Sequence, residues 1–343
     1  MASKKYNFIK TLLLIAVVLL ITDIIIDRIQ KPAKSENVVH PSELSVQKIE
    51  DTFFIVLNEY GIEKNWIKIK KVKPGEEDSV KIQILVNLPS DVPIPLVIRD
   101  INKIIEKDIT GFVCEEKKIF GSTEIRVYAN EILKLKAVLT PDKSIIRNRN
   151  SLSFVLSDAF DLSGENFNNF LSLIYPASCL VVPDGTAAVK ADTLKNYRKE
   201  YTLLLNDDIS DSKMKLKQGF QNEILRGSIK NILFAFKDAK ILAVDEKSNI
   251  FNSPAYKFIR DDFQRQGINV IKLSEMIYLN GNDDADLLTR FNKIADDSTG
   301  QRQKVFITTF ENFQKLVPAL ERCKKRGDKI ISVSKTYLAQ NKK

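Results

Sequence analysis

Five carboxylates stand where short apolar runs give way to polar residues. Asp158 follows Leu152–Leu156, Asp207 and Asp208 follow Tyr201–Leu205, and Asp245 and Glu246 follow Ile241–Val244. Runs of this length read as buried strands, and parallel strands share one rim at their C-terminal ends, so the five could converge there. An oxygen-rich cluster of that kind could hold a hard cation such as Mg²⁺ or Ca²⁺, and paired carboxylates could do general acid and base work. The same residues also fit a solvated acidic rim, because loops on that side are commonly polar. The sharper constraint is a residue type that is nearly missing. The chain has one histidine, His40, and histidine is the commonest general base near neutral pH and the commonest metal ligand. Hydrolytic chemistry beyond it must rest on carboxylate, Lys, Cys or Ser, and Ser157-Asp158 without a histidine is no triad.

The remaining candidates are weaker. Cys114, Cys179 and Cys323 lie far apart with no Cys-x-x-Cys spacing, so they read as small buried hydrophobes, with a bridge between Cys179 and Cys323 left open. Asp283-Asp284-Ala285-Asp286 lacks the glycine and distal glutamate of a calcium loop and fits the acidic start of a helix. Pro183-Asp184-Gly185-Thr186 is a turn opening a helix, whose free N–H groups could hold an anion. Lys64, Lys68, Lys70, Lys71 and Lys73 surround Trp66. They could grip an anionic polymer or form the wet side of an edge strand, where lysines discourage pairing.

The elements that must position these residues fall into blocks. Lys4, Lys5 and Lys10 flank a run from Thr11 to Thr22 that is otherwise Leu, Ile, Val or Ala, and Ile24–Ile26 follow Asp23. The stretch approaches the about 17–25 residues of a spanning helix. No small-residue cleavage site follows, so 1–10 read as a cytoplasmic tail and 11–27 as an uncleaved membrane anchor. Residues 28–43, with Pro32 and Pro41, form a linker. Over 44–140 the pattern is helix-strand-strand, twice, with one more strand, giving a small α+β domain. Residues 141–150 form a second linker. From 151 to 338 strands and helices alternate: strands at Leu152–Leu156, Ser178–Val182, Tyr201–Leu205, Ile241–Val244, Ile268–Leu273, Lys304–Thr308 and Lys329–Val333, one helix opening at Ser253-Pro254 and another near Pro318–Arg326. Seven strands with helical crossovers imply a parallel sheet able to close into an irregular barrel, with 339–343 as a tail. The net charge of +9 is dispersed along the chain, which suits anionic lipid or wall polymer better than a nucleic-acid groove.

Four stretches of the last block resemble the divergent polysaccharide deacetylases: Ser153-Phe154-Val155-Leu156-Ser157-Asp158, Leu173–Ser178 with Val181-Val182-Pro183, Arg265–Ile271, and Lys325–Ser334. The resemblance implies an irregular seven-stranded (β/α) barrel in the cell envelope, acting on carbohydrate. It also implies a divalent metal held by one carboxylate and two imidazoles, with a second carboxylate as base and a histidine as acid. This chain departs at nearly every such position. Ser157 replaces the first aspartate of a pair and Asp158 keeps the second. The expected histidines fall at Leu205 or Asn206, near Asp245, and at Thr309, and a further aspartate falls at Lys272 or Leu273. Ser157, Asp158, Asp245 and Thr309 are thus vestigial candidates, and the expectation is a pseudoenzyme without catalytic residues or cofactor that binds glycan or protein at the envelope. Two alternatives stay open: an active hydrolase using Asp158 and Asp245 on an oxygen-liganded metal, and a purely structural envelope module.

Overall fold

The computed structural model describes residues 46–72, 80–105, 111–119, 121–129, 131–147, 149–297 and 302–340. The anchor at 11–27, the first linker and His40 lie outside the described residues. Among the described residues no helix is long and apolar enough to cross a membrane.

Helix α1 (Val46–Glu59) buries Ile49, Phe53, Val56 and Leu57, the spacing of one helical face. Gly61, at φ 65°, turns the chain out of it. Strands β1 (Ile67–Lys71) and β2 (Ile82–Pro89) follow, then helix α2 (Ile94–Ile105), β3 (Gly111–Glu116), β4 (Thr123–Ala129) and β5 (Ile132–Asp142). The helix-strand-strand unit does recur, but the extra strand β5 sits at the centre, in the order β1-β2-β5-β4-β3. It runs parallel to β2 and antiparallel to β4. Leu133, Leu135, Ala137 and Leu139 alternate inward along β5, which is why the longest alternating run takes the position with neighbours on both sides.

The second sheet is wholly parallel. Its strands are β6 (Ser151–Leu156), β7 (Ser178–Val181), β8 (Glu200–Leu205), β9 (Ile241–Val244), β10 (Asn269–Lys272), β11 (Ile277–Tyr278), β12 (Gln303–Thr308) and β13 (Lys329–Ile330). The hydrogen-bonded order is β10-β9-β8-β7-β6-β12-β11. Its two ends, β10 and β11, are consecutive in the chain and joined by a short 3₁₀ turn at Leu273–Glu275. The chain therefore links the two edges, and the sheet curls round on itself. One edge of β6 is shared: Ser151 and Leu152 pair with β13, Val155 and Leu156 with β7.

Three expectations change. The seven anticipated strands are eight among the described residues, because β11 is only two residues long and follows a 3₁₀ turn. The strand expected over Lys329–Val333 stops at Ile330, and Val333–Gln340 forms a helix, α9. The helix expected from Pro318 begins at Phe310: α8 (Phe310–Arg326) carries Pro318 inside it. Helices α3 (Gly164–Leu171), α4 (Gly185–Asn196), α5 (Asn222–Ala235), α6 (Ala255–Arg265), α7 (Asp284–Asp296) and α8 cover the convex side. Ser253 does not cap α6; its hydroxyl donates to the Ile250 carbonyl instead. The concave side packs Val155, Ile241, Ala243, Ile271, Val305 and Ile307 around Val333 and Tyr337 of α9.

Residues Val46–Lys343 make one compact unit, and the joint between its two sheets is explicit. Lys325 of α8 reaches Asp100 of α2 at 2.6 Å, and the Tyr60 hydroxyl donates to the same carboxylate at 2.9 Å. Burial pushes the Asp100 carboxyl up, but the hydrogen bonds from Lys325, Tyr60 and Arg99 outweigh it and hold it at about 2. A depressed carboxyl stabilises the fold above its unfolded value of 3.8 and loses that contribution as pH falls toward 2. Over that window Asp100→Asn is expected to remove about 2 kcal/mol of acid dependence, by the free-energy equivalent of the shift. Urea titrations at several pH values would show parallel curves for wild type and variant if Asp100 were not the group responsible.

Candidate functional site

The rim at the C-terminal ends of the parallel strands gathers the sequence-predicted residues in space but sets each to a local task. Asp158 accepts the Phe310 backbone N–H at 2.7 Å, at the start of α8. Thr309 is the N-cap of that helix and accepts from the Asn312 N–H at 3.3 Å. Both residues thus satisfy donors that an uncapped helix start leaves open. Ser157 is exposed, and its hydroxyl donates to the Thr308 carbonyl at 3.3 Å. It ties β6 to β12 and has no base beside it.

The carboxylates after β8 and β9 are similarly engaged. Asp207 accepts from the backbone and side-chain nitrogens of Asn249 at 2.8 and 3.0 Å. It pins the loop after β9 to the end of β8. Asp208 accepts from the Asn206 amide at 2.6 Å. Asp245 accepts from the Lys247 N–H at 2.9 Å, a carboxylate closing a turn on its own backbone. Glu246 accepts from the Ser274 N–H at 3.0 Å and from the Ser274 hydroxyl. Those two bonds hold its carboxyl below the usual range, the hydroxyl's first.

No group of three or more His, Cys, Asp or Glu among the described residues could hold a metal ion. Asp158 and Asp245, the pair expected to carry a divalent cation under the alternative reading, belong to no such group. Asp158, Asp207 and Asp245 each accept a backbone N–H of a rim segment. The turn at Pro183–Thr186 follows suit. Asp184 caps α4 by accepting from Ala187 N–H at 2.7 Å, so that helix start carries its own anion. Asp283 does the same for α7 through Asp286 N–H at 2.8 Å. The three cysteines are free, with Cys179 and Cys323 buried.

Below the rim the concave face carries paired hydroxyls. The hydroxyls of Ser178 and Thr202 pair at 2.9 Å and those of Ser153 and Thr336 at 2.6 Å. At the other end Glu200 accepts from the Ser334 hydroxyl at 2.6 Å, fixing the start of α9. Ser and Thr at inward positions of otherwise apolar strands were a visible signal of a packed, hydroxyl-lined interior.

The sequence reading missed one feature of the rim. Tyr278 of β11 is 59% exposed. Burial of part of the ring, then the charges of Asp245 and Glu246, push its phenol up. Close by, the Lys272 ammonium sits 5.7 Å from the Phe251 ring centroid, and Phe251 packs on Tyr256 at 4.7 Å. An exposed phenol ring can stack on an apolar face and use its hydroxyl as donor or acceptor.

The capping role of Asp158 makes a prediction. Asp158→Ala is expected to cost about 1–2 kcal/mol through loss of the α8 cap, read as a lower urea midpoint. A midpoint unchanged within error would mean the Phe310 N–H bond contributes nothing.

No family model matches the chain, and neither does any curated protein. Among solved structures it is similar to the BA3943 protein of Bacillus anthracis, a CE4 family pseudoenzyme, at 10% identity and a TM-score of 0.36, covering 68% of this chain and 93% of that one. A BA3943 mutant with restored enzymatic activity aligns at 10% identity and a TM-score of 0.37, covering 68% and 96%.

Proposed function

We propose that the parallel barrel is a deacetylase-type scaffold without metal-dependent catalysis, and that its rim binds glycan around Tyr278. The observation that carries this reading is the commitment of the rim carboxylates: Asp158 caps α8, Asp207 pins the next loop, and Asp245 closes its own turn. No histidine follows residue 40, so the imidazole ligands and the imidazole acid that the resembled family uses are missing. Binding asks less. Tyr278 offers an exposed stacking surface. The lysine-flanked apolar stretch over 11–27 makes the chain a single-pass membrane protein whose described residues lie outside the cytoplasm, where wall glycan is the abundant ligand.

Tyr278→Ala is expected to weaken binding of chitooligosaccharide or a peptidoglycan fragment to the full-length protein about tenfold, ~1.4 kcal/mol. Isothermal titration reads it. Equal affinity for wild type and variant would move the glycan site elsewhere. Asp158→Ala separates this reading from an active hydrolase: here it changes stability and leaves glycan affinity alone, whereas a hydrolase would lose turnover or metal affinity.

A further inference from the structure

One edge of the first sheet carries a second surface. Strand β1 pairs only with β2, so its other edge has no strand on it among the described residues. Its sequence, Ile67-Lys68-Ile69-Lys70-Lys71, puts Ile67, Ile69 and Lys71 on one side and Lys68 and Lys70 on the other, so lysines border the edge on both sides. Ile69 is 60% exposed, and Ile55 on the adjoining outer side of α1 is 57% exposed. Between strand and helix runs a largely apolar groove of about 710 Å³, lined among others by Phe54, Ile62 and Ile67. Exposed Lys64 lines it, and Trp66, next to Ile67 in the chain, is half-buried.

We propose that this edge lies on an anionic lipid surface, with Trp66, Ile55 and Ile69 at the headgroup boundary and Lys64, Lys68, Lys70 and Lys71 over the lipid phosphates. The proposal rests on the reading of 11–27 as a membrane anchor. Three features select lipid over other occupants. Isolated exposed apolar side chains are ordinary on a soluble surface, but here they adjoin a tryptophan and four lysines, the pairing of amphipathic ring and cation that suits a bilayer interface. Lysine stems can cover apolar surface while their ammonium groups stay in the polar zone. Residues 28–45 reach at most roughly 60 Å when extended, so α1 begins within a short tether of the anchor and its local lipid concentration is high. The unpaired strand edge also favours the headgroup layer, where its N–H and C=O groups find partners, over the hydrocarbon core, where they would not.

Trp66 is the only tryptophan in the chain and therefore reports on this edge alone. The full-length protein would be mixed with vesicles of phosphatidylcholine, or of phosphatidylcholine and phosphatidylglycerol in equal parts, each with and without brominated acyl chains. With phosphatidylglycerol, Trp66 emission is expected to shift to the blue and to be quenched by bromine, less so at high salt. Lys68→Glu and Lys70→Glu are each expected to lower the docked-to-undocked ratio by about fivefold or more, without changing far-UV circular dichroism. Flotation after an alkaline carbonate wash reads the anchor separately. A chain that floats while Trp66 stays unquenched overturns docking and leaves the anchor standing. A chain stripped by carbonate overturns the anchor, and quenching recorded before the wash still decides docking. A blue shift that follows protein density at fixed lipid, without bromine quenching, assigns the groove to a second copy of the chain and overturns the proposal.

Discussion

Arg147→Ala is expected to lower the unfolding free energy by about 3 kcal/mol, as for a buried charged donor with several acceptors. The Arg147 side chain is 5% exposed. It donates to the Asp91 carboxylate at 2.7–3.1 Å, to the Tyr60 carbonyl at 2.9 Å and to the Lys325 carbonyl at 2.6 Å. Tyr60 belongs to the end of α1 and Lys325 to the end of α8, so one guanidinium satisfies the termini of two helices from the two sheets. The backbone around it is fitted to the same task. Gly327, at φ 100°, would place a Cβ 2.8 Å from Arg147 Nε, and its left-handed conformation closes α8 where few residues other than glycine can. Arg147→Lys is expected to recover little, since an ammonium lacks the planar fork that reaches both carbonyls and the carboxylate together. Urea unfolding followed by far-UV circular dichroism and by Trp66 fluorescence is the check. Coincident transitions that shift together, or that split in the variant, fit this joint, whereas an unchanged midpoint for Arg147→Ala would remove it.

Phe154→Ala is expected to cost about 3–5 kcal/mol. Phe154 is fully buried. Its ring stacks on Phe306 at 5.3 Å and meets Phe313 edge-on at 5.1 Å, with Phe291 at 6.3 Å. These rings come from β6, β12, α8 and α7, so the cavity left by alanine would border four elements at once. The rim would feel it, because Ser157 and Asp158 extend β6 and Thr309 extends β12. Phe154→Leu fills part of the void and is expected to recover more than half of the loss. The midpoint of urea unfolding measures both; a Phe154→Ala change below about 1 kcal/mol would mean that the convex core relaxes to fill the space.

Much of this architecture was legible in the chain. Strands β6 to β9 and β12 lie within a residue or so of the apolar runs that announced them, because parallel strands buried on both faces leave a continuous apolar signature. Two element boundaries fall elsewhere. Ile330-Ile331-Ser332-Val333 reads as a strand by apolarity, yet Val333 begins α9, because the concave face offers that helix a place to bury Val333 and Tyr337. Pro318 reads as a helix start, yet α8 begins at Phe310 behind the Thr309 cap and carries the proline inside it. The convergence of the carboxylates was not legible at all. Whether Asp158, Asp207 and Asp245 face a common point or a neighbouring N–H depends on loop geometry after each strand, and the sequence shows only that they follow one. Tyr278 was missed because β11 is too short to carry a period.

The most direct measurement is acetate release by the full-length protein, supplied with N-acetylated chitooligosaccharide or peptidoglycan and with Mg²⁺, Mn²⁺, Co²⁺ or Zn²⁺ in turn, in the preparation used for glycan titration. A rim whose carboxylates are committed to helix caps and turns is expected to bind glycan through Tyr278 and to release no acetate above the protein-free control with any metal. Metal-dependent release that Asp158→Ala abolishes, in a variant that still folds, would contradict it.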